Sequence, residues 1–178
     1  MLCRSRAIRR RAAALFIALS ACATPKPEPS PTARSANPGE STMGKERGAP
    51  DFVSVPSDLT DASSFLAGEF ARAERDGRIL LLTVGAAWCE PCNRFHEALH
   101  RGALDRELAG ARFVELDADT QASLVATAQC RSKMIPLIAR VTSDGRCGPR
   151  RSEGAIKGDG AVGYLLPRVR DLLAEAKP

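Results

Sequence analysis

The four residues Cys89-Glu90-Pro91-Cys92, set behind Trp88 and the apolar run Ile79-Leu80-Leu81-Leu82-Thr83-Val84, constrain the fold more than any other part of the chain. A run that is apolar apart from Thr83 suits a strand covered on both faces better than a half-exposed one. Pro91 is tolerated in a first helical turn, so a helix starts at the motif and continues from Asn93 through Leu99, with Phe95 and Leu99 facing inward. Two cysteines at this spacing at a helix start can close a small disulfide. The first thiol then sits where unpaired backbone N–H groups stabilise a thiolate, the attacking species in disulfide exchange, and the second can resolve a mixed disulfide.

The order of elements around the motif is readable. Ser63 to Arg75 places Phe65, Leu66, Glu69, Phe70 and Ala73 at helical spacing, with Asp61 or Ser63 as the cap and Gly77 as the stop. Leu104 to Leu108 reads as a further helical turn or short helix, and Arg112 to Asp117 as a second strand, parallel to the first through a right-handed crossover. Ser123 to Cys130 is expected as a helix and Ile135 to Thr142 as a strand entered through Pro136. Ser143-Asp144-Gly145 then turns the chain into an antiparallel strand within Cys147 to Gly154. An amphipathic helix from Ala161 to Ala176 closes the chain, with Pro167 as an irregularity. At 178 residues and 44% hydrophobic content this is one ordinary domain plus extras.

The extras are N-terminal. Arg4, Arg6, Arg9, Arg10 and Arg11 precede the apolar stretch Ala12 to Leu19, which is too short to span a bilayer permanently. Leu19-Ser20-Ala21-Cys22 resembles a bacterial lipobox, which implies a signal peptide over 1–21, lipidation of Cys22, and an exported protein anchored to a bacterial membrane, facing the periplasm or the cell exterior. Five of the 26 basic residues lie in that segment, so 21 remain against 21 acidic ones. The mature chain is near neutral, which removes any nucleic-acid footprint. Residues 22–50 are rich in Pro, Ser, Thr, Gly and charge and read as a disordered tether, leaving 51–178 as the globular domain.

A central mixed sheet flanked by helices, Trp-Cys-x-x-Cys at a strand-to-helix junction, and Ile135-Pro136 leading into a hairpin together resemble the thioredoxin-like superfamily, a three-layer α/β fold. The resemblance covers roughly residues 58–176. The long first helix, the acidic Leu116-Asp117-Ala118-Asp119, and the extended stretch Phe95 to Leu108 make it look closer to the C-terminal periplasmic domain of the thiol-reductant transporter DsbD than to cytosolic thioredoxin. It implies that Cys89 is the exposed nucleophile and Cys92 the buried resolving thiol, that Pro136 follows a cis peptide bond, that Trp88, Ile135 and Pro136 contact substrate, and that Gly154 follows the last strand. One position departs from the pattern. The family's buried Asp, six residues before the first cysteine, is Thr83 here. A hydroxyl is no carboxylate base, so proton removal from Cys92 must use water or another group, with Glu115 a candidate on the adjacent strand.

Rival readings use the same residues. Cys89, Cys92, His96 and His100 have a spacing that a soft metal could use, but His100 lies nearly three turns from Cys89, and closing four ligands is strained; the expectation is no metal, with the histidines exposed on the helix. Asn93 after Cys92 excludes c-type haem attachment. Cys130 and Cys147, left over in an exported chain, are expected to form a structural disulfide, the alternative being a second redox pair. The redox-active disulfide is the only expected cofactor. With no nicotinamide or flavin signature, reducing equivalents come from a membrane or soluble donor protein, and the partners are protein thiols and disulfides. The alternative class is a binding module or metal chaperone that uses the same fold without catalysis.

Overall fold

The structure, a computed structural model, describes residues 48–174. The expected signal segment, the expected lipobox with Cys22, nearly all of the expected tether and the end of the expected closing helix lie outside the described residues. Strand β1 (Asp51–Val53) is followed by helix α1 (Ala62–Arg75), β2 (Ile79–Gly85), α2 (Glu90–His100), β3 (Ala111–Asp117), α3 (Ala122–Thr127), β4 (Leu137–Val141), β5 (Cys147–Glu153) and α4 (Ala161–Leu173). The five strands lie in the order β1-β3-β2-β4-β5. β1, β3 and β2 run parallel, and β4 and β5 are antiparallel to their neighbours. This is the mixed-sheet, three-layer α/β architecture expected from the thioredoxin-like resemblance.

Alternation along the strands sorts the side chains into two cores. Leu80, Leu82 and Val84 of β2 and Val114 and Leu116 of β3 face α1 and α3, joining Leu66 and Leu124. Leu81 and Phe113 face α2 and α4, joining Phe95, Leu99, Leu165 and Val169. The continuous apolar run of β2 is thus the strand covered on both faces, with Leu81 and Leu82 fully buried. Thr83 falls on the α2 side, opposite Glu115 of β3 and Ile138 of β4.

The helix ends follow local chemistry. Asp61 caps α1, accepting hydrogen bonds from the Ser63 and Ser64 N–H groups at 3.0 and 3.4 Å. The Ser63 hydroxyl, foremost, and that of Ser64 also donate to it and bring its carboxyl down to about 2. In the β4–β5 turn, Gly145 has φ +73° and packs on α1 so closely that a Cβ there would lie 1.8 Å from the Ser63 carbonyl oxygen.

Residues 101–110 form turns, so of the two forms expected for Leu104 to Leu108 the helical turn is the one present, while two other elements differ from the sequence reading. Leu108 N–H bonds the Leu104 carbonyl for a single helical turn, and burial of Leu104 and Leu108 against α2 and α4 holds the segment. Helix α3 stops at Thr127, short of Cys130, where Gln129 takes φ +54°. β1, three residues long, has no counterpart in the sequence reading; Asp51 of that strand is tied to Arg112 of β3 at 2.7 Å.

Cys130 and Cys147 form a disulfide with Cα atoms 5.2 Å apart, joining the loop after α3 to the start of β5. Cys147 N–H also bonds the Ala128 carbonyl at 2.9 Å, and Cys130 is 1% exposed. With 17 residues of separation, closing the loop restricts the unfolded chain by about 3 kcal/mol in the chain-entropy model. The double variant Cys130→Ser/Cys147→Ser is therefore expected to lose about 3 kcal/mol in urea denaturation. A loss under about 0.5 kcal/mol would contradict that.

Candidate functional site

Cys89 is the N-cap residue of α2, and Pro91 occupies the first turn, where its missing N–H costs no helical bond. Cys89 and Cys92 are joined in a disulfide, Cα to Cα 5.2 Å. Gly85, at the end of β2, makes room for it, since a Cβ there would meet the Cys92 Cβ at 3.2 Å. The resemblance implies an exposed Cys89 and a buried Cys92. Instead both are buried, Cys89 at 4% exposure and Cys92 at 9%, because Ala118 and Ile135 pack against the disulfide together with Ala86.

The Ile135–Pro136 peptide bond is cis. The Pro136 carbonyl accepts from Gly154 N–H at 2.9 Å, and Gly154 has φ +71°, so the glycine after β5 and the proline before β4 hold each other. Trp88 is 70% exposed at the mouth of the motif, its indole N–H donating to Asp119 Oδ2 at 2.8 Å. Asp117 supports that loop. It accepts from the backbone and hydroxyl of Thr120 and from Asp119 N–H, and the Thr120 backbone bond above all holds its carboxyl below the usual range. The acidic stretch after β3 therefore acts as a scaffold for Trp88.

Glu90 lies beside the thiols but does not act as a bare anion. Both its oxygens accept from Gly158 N–H, at 3.0 and 3.2 Å, and Arg94 one turn along pairs with it and with Asp159 at 2.9 Å. The Gly158 N–H first, and Arg94 after it, keep this carboxyl below its ordinary range. The same bonds fasten the loop between β5 and α4 to the start of α2.

Beneath the disulfide a cavity of about 340 Å³ is lined by Cys92, Thr83, Glu115, His96, Asn93 and Asp117. Thr83 Oγ1 is buried there with no hydrogen-bond partner among the described residues. Glu115 shares that cavity and is held by two imidazoles, His96 Nδ1 at 3.0 Å and His100 Nε2 at 2.9 Å. The histidines are exposed on the helix as expected, yet they are not free. Cys89 and Cys92 are committed to each other, so the four-residue metal set weighed from the sequence does not assemble. What does assemble is His96, His100 and Glu115. The i, i+4 spacing of the histidines was the available signal; the strand register that adds Glu115 was not.

The arrangement is a disulfide at a helix N-terminus beside a cis-proline, with an aromatic rim and a cavity at the second cysteine that Thr83, Asn93, His96 and Glu115 help to line. No protein-family profile and no curated protein matches the chain. Solved structures similar to it include a thioredoxin-like protein from Edwardsiella tarda (22% identity, TM-score 0.41, covering 61% of this chain and 93% of that one). Others are thioredoxin O1 from Arabidopsis thaliana in its oxidised state (14%, 0.44, 71% and 99%) and a poplar thioredoxin h (19%, 0.44, 72% and 100%). Strand order, cis-proline and the position of the Cys89–Cys92 pair make the fold of this chain thioredoxin-like.

Proposed function

We propose that the chain is a thiol–disulfide oxidoreductase acting on protein substrates through Cys89 and Cys92, tethered to a bacterial membrane by a lipid on Cys22 and working outside the cytoplasm. The observation that carries the redox reading is the Cys89–Cys92 disulfide at the start of α2, flanked by cis-Pro136 and by the exposed Trp88. In the reducing direction, the Cys89 thiolate attacks one sulfur of a substrate disulfide. The substrate S–S bond breaks, a Cys89–substrate disulfide forms, and the departing thiolate takes up a proton. Cys92, deprotonated, then attacks Cys89; the Cys89–Cys92 bond re-forms and the second substrate thiol leaves, so two electrons have passed to the substrate.

The proton lost by Cys92 enters the cavity it shares with Glu115 and His96, which do the work the missing carboxylate at Thr83 would do. Substrate backbone lies along Ile135–Pro136 with Trp88 at one edge and Met134, 57% exposed, at the other. A membrane or soluble thiol-reductant donor protein supplies the electrons. Glu90 alone would oppose thiolate formation and favour a reductant or carrier, and its pairing with Arg94 and Gly158 offsets part of that opposition.

The test is dithiothreitol-driven insulin reduction by the full-length chain. Turnover above the uncatalysed rate, lost in Cys89→Ser, is the expected result. The burial of both cysteines favours one second reading, a binding module with a structural disulfide. Under that reading insulin reduction does not exceed background, and neither thiol is labelled by an alkylating reagent at any glutathione potential.

A further inference from the structure

We infer that His96, His100 and Glu115 form a binding site for one late first-row divalent cation of the zinc, cobalt or nickel type. His96 and His100 are one helical turn apart on α2 and so share a face, while Glu115 reaches them from β3. Their ligand atoms, Nδ1, Nε2 and a carboxylate oxygen, all lie within 4.8 Å of one another. A tetrahedral ion with bonds of about 2.0–2.2 Å needs ligand atoms somewhat closer than that limit, a matter of small side-chain rotations. Two imidazoles and one carboxylate match a borderline cation and leave a coordination position for water or another ligand. Oxygen-seeking ions such as Ca²⁺ and Mg²⁺ gain little from the two nitrogens.

The site is organised in advance. The His100 ring stacks on Phe52, with centroids 4.1 Å apart, and lies tilted against His96, also at 4.1 Å. Phe52 in turn rests against buried Phe113 at 5.8 Å. Each ring nitrogen now faces a Glu115 oxygen, so binding requires each imidazole to carry its proton on the opposite nitrogen. With side chains 55% and 39% exposed, water can serve those outer nitrogens. This set excludes the cysteines, so it loads with the disulfide closed, although two of its members, Glu115 and His96, are the groups proposed above to receive the Cys92 proton.

The chain contains two histidines, both in this cluster, so their imidazole proton resonances report this site alone even in the full-length chain. Zn²⁺ added to the oxidised full-length chain is expected to shift both rings and saturate at one equivalent, whereas Mg²⁺ moves neither. His100→Phe, which retains an aromatic ring against Phe52, and Glu115→Gln should each weaken Zn²⁺ binding more than about tenfold, read at the remaining imidazole resonances. Rings unmoved by Zn²⁺, or a His100→Phe chain that binds as tightly as the parent, would overturn the site. Insulin reduction is not a readout here, so loss of the redox activity and loss of the metal site are told apart.

Discussion

A chain carrying Cys92→Ser is expected to accumulate a covalent adduct with a disulfide-containing protein, whereas Cys89→Ser accumulates none and falls to the uncatalysed rate of insulin reduction. Cys89 is the N-cap residue, with the unpaired N–H groups of the first helical turn following it, and that end of the macrodipole favours its thiolate. Cys92, one turn further in, supplies the resolving attack; once its sulfur is an alcohol the mixed disulfide has no intramolecular exit. Non-reducing electrophoresis of each reduced variant mixed with an oxidised substrate reads the adduct directly. An adduct at Cys89→Ser and none at Cys92→Ser would assign the attack to Cys92, which lines the cavity with Glu115.

Replacing Glu69 by Ala is expected to cost about 3 kcal/mol in urea denaturation at neutral pH, the loss characteristic of removing one partner from a buried ion pair. The Glu69 side chain is 6% exposed and that of Arg112 16%. Arg112 donates to Glu69 Oε2 from Nη2 at 2.7 Å and from Nε at 3.1 Å, and to Asp51 at 2.7 Å, while Arg72 donates to the other Glu69 oxygen at 3.0 Å. Without Glu69 the guanidinium stays out of water with the half-exposed Asp51 as its carboxylate partner, and α1 loses its polar tie to β3. The double variant Glu69→Leu/Arg112→Leu should lose less than Glu69→Ala, since apolar replacement removes both desolvation costs together. A Glu69→Ala chain within about 0.5 kcal/mol of the parent would show the pair to be dispensable.

Glu69 marks where the sequence stops being informative. At its helical position it reads as one more member of an inward stripe, and nothing local says that its partner lies 43 residues on. Helix α1 with its Asp61 cap, the doubly covered β2, the proline-started α2 and the Asp-Gly hairpin into β5 were all legible, because each depends on signals within a few residues. β1 was not, since three residues carry no period and its hydrogen bonds come wholly from β3. Leu104 and Leu108, one turn apart, allow either a helical turn or a short helix, and with both buried against α2 and α4 a single turn forms.

At the site the same division holds. Spacing alone placed the two cysteines and Trp88 at the start of a helix, and the resemblance put Pro136 beside them. The same resemblance located the departure at Thr83. Tertiary structure decided the rest: Asp119 anchors Trp88, Gly158 and Arg94 compensate Glu90, Ile135 and Ala118 cover Cys89, and Glu115 meets two histidines under Cys92. Apart from Arg94, which reaches Glu90 one turn along the same helix, each of those contacts depends on strand register or on a loop docking across the sheet. A shift of one residue in β3 would turn Glu115 to the other face, and no pattern within the strand itself sets that register; its pairing with β2 does.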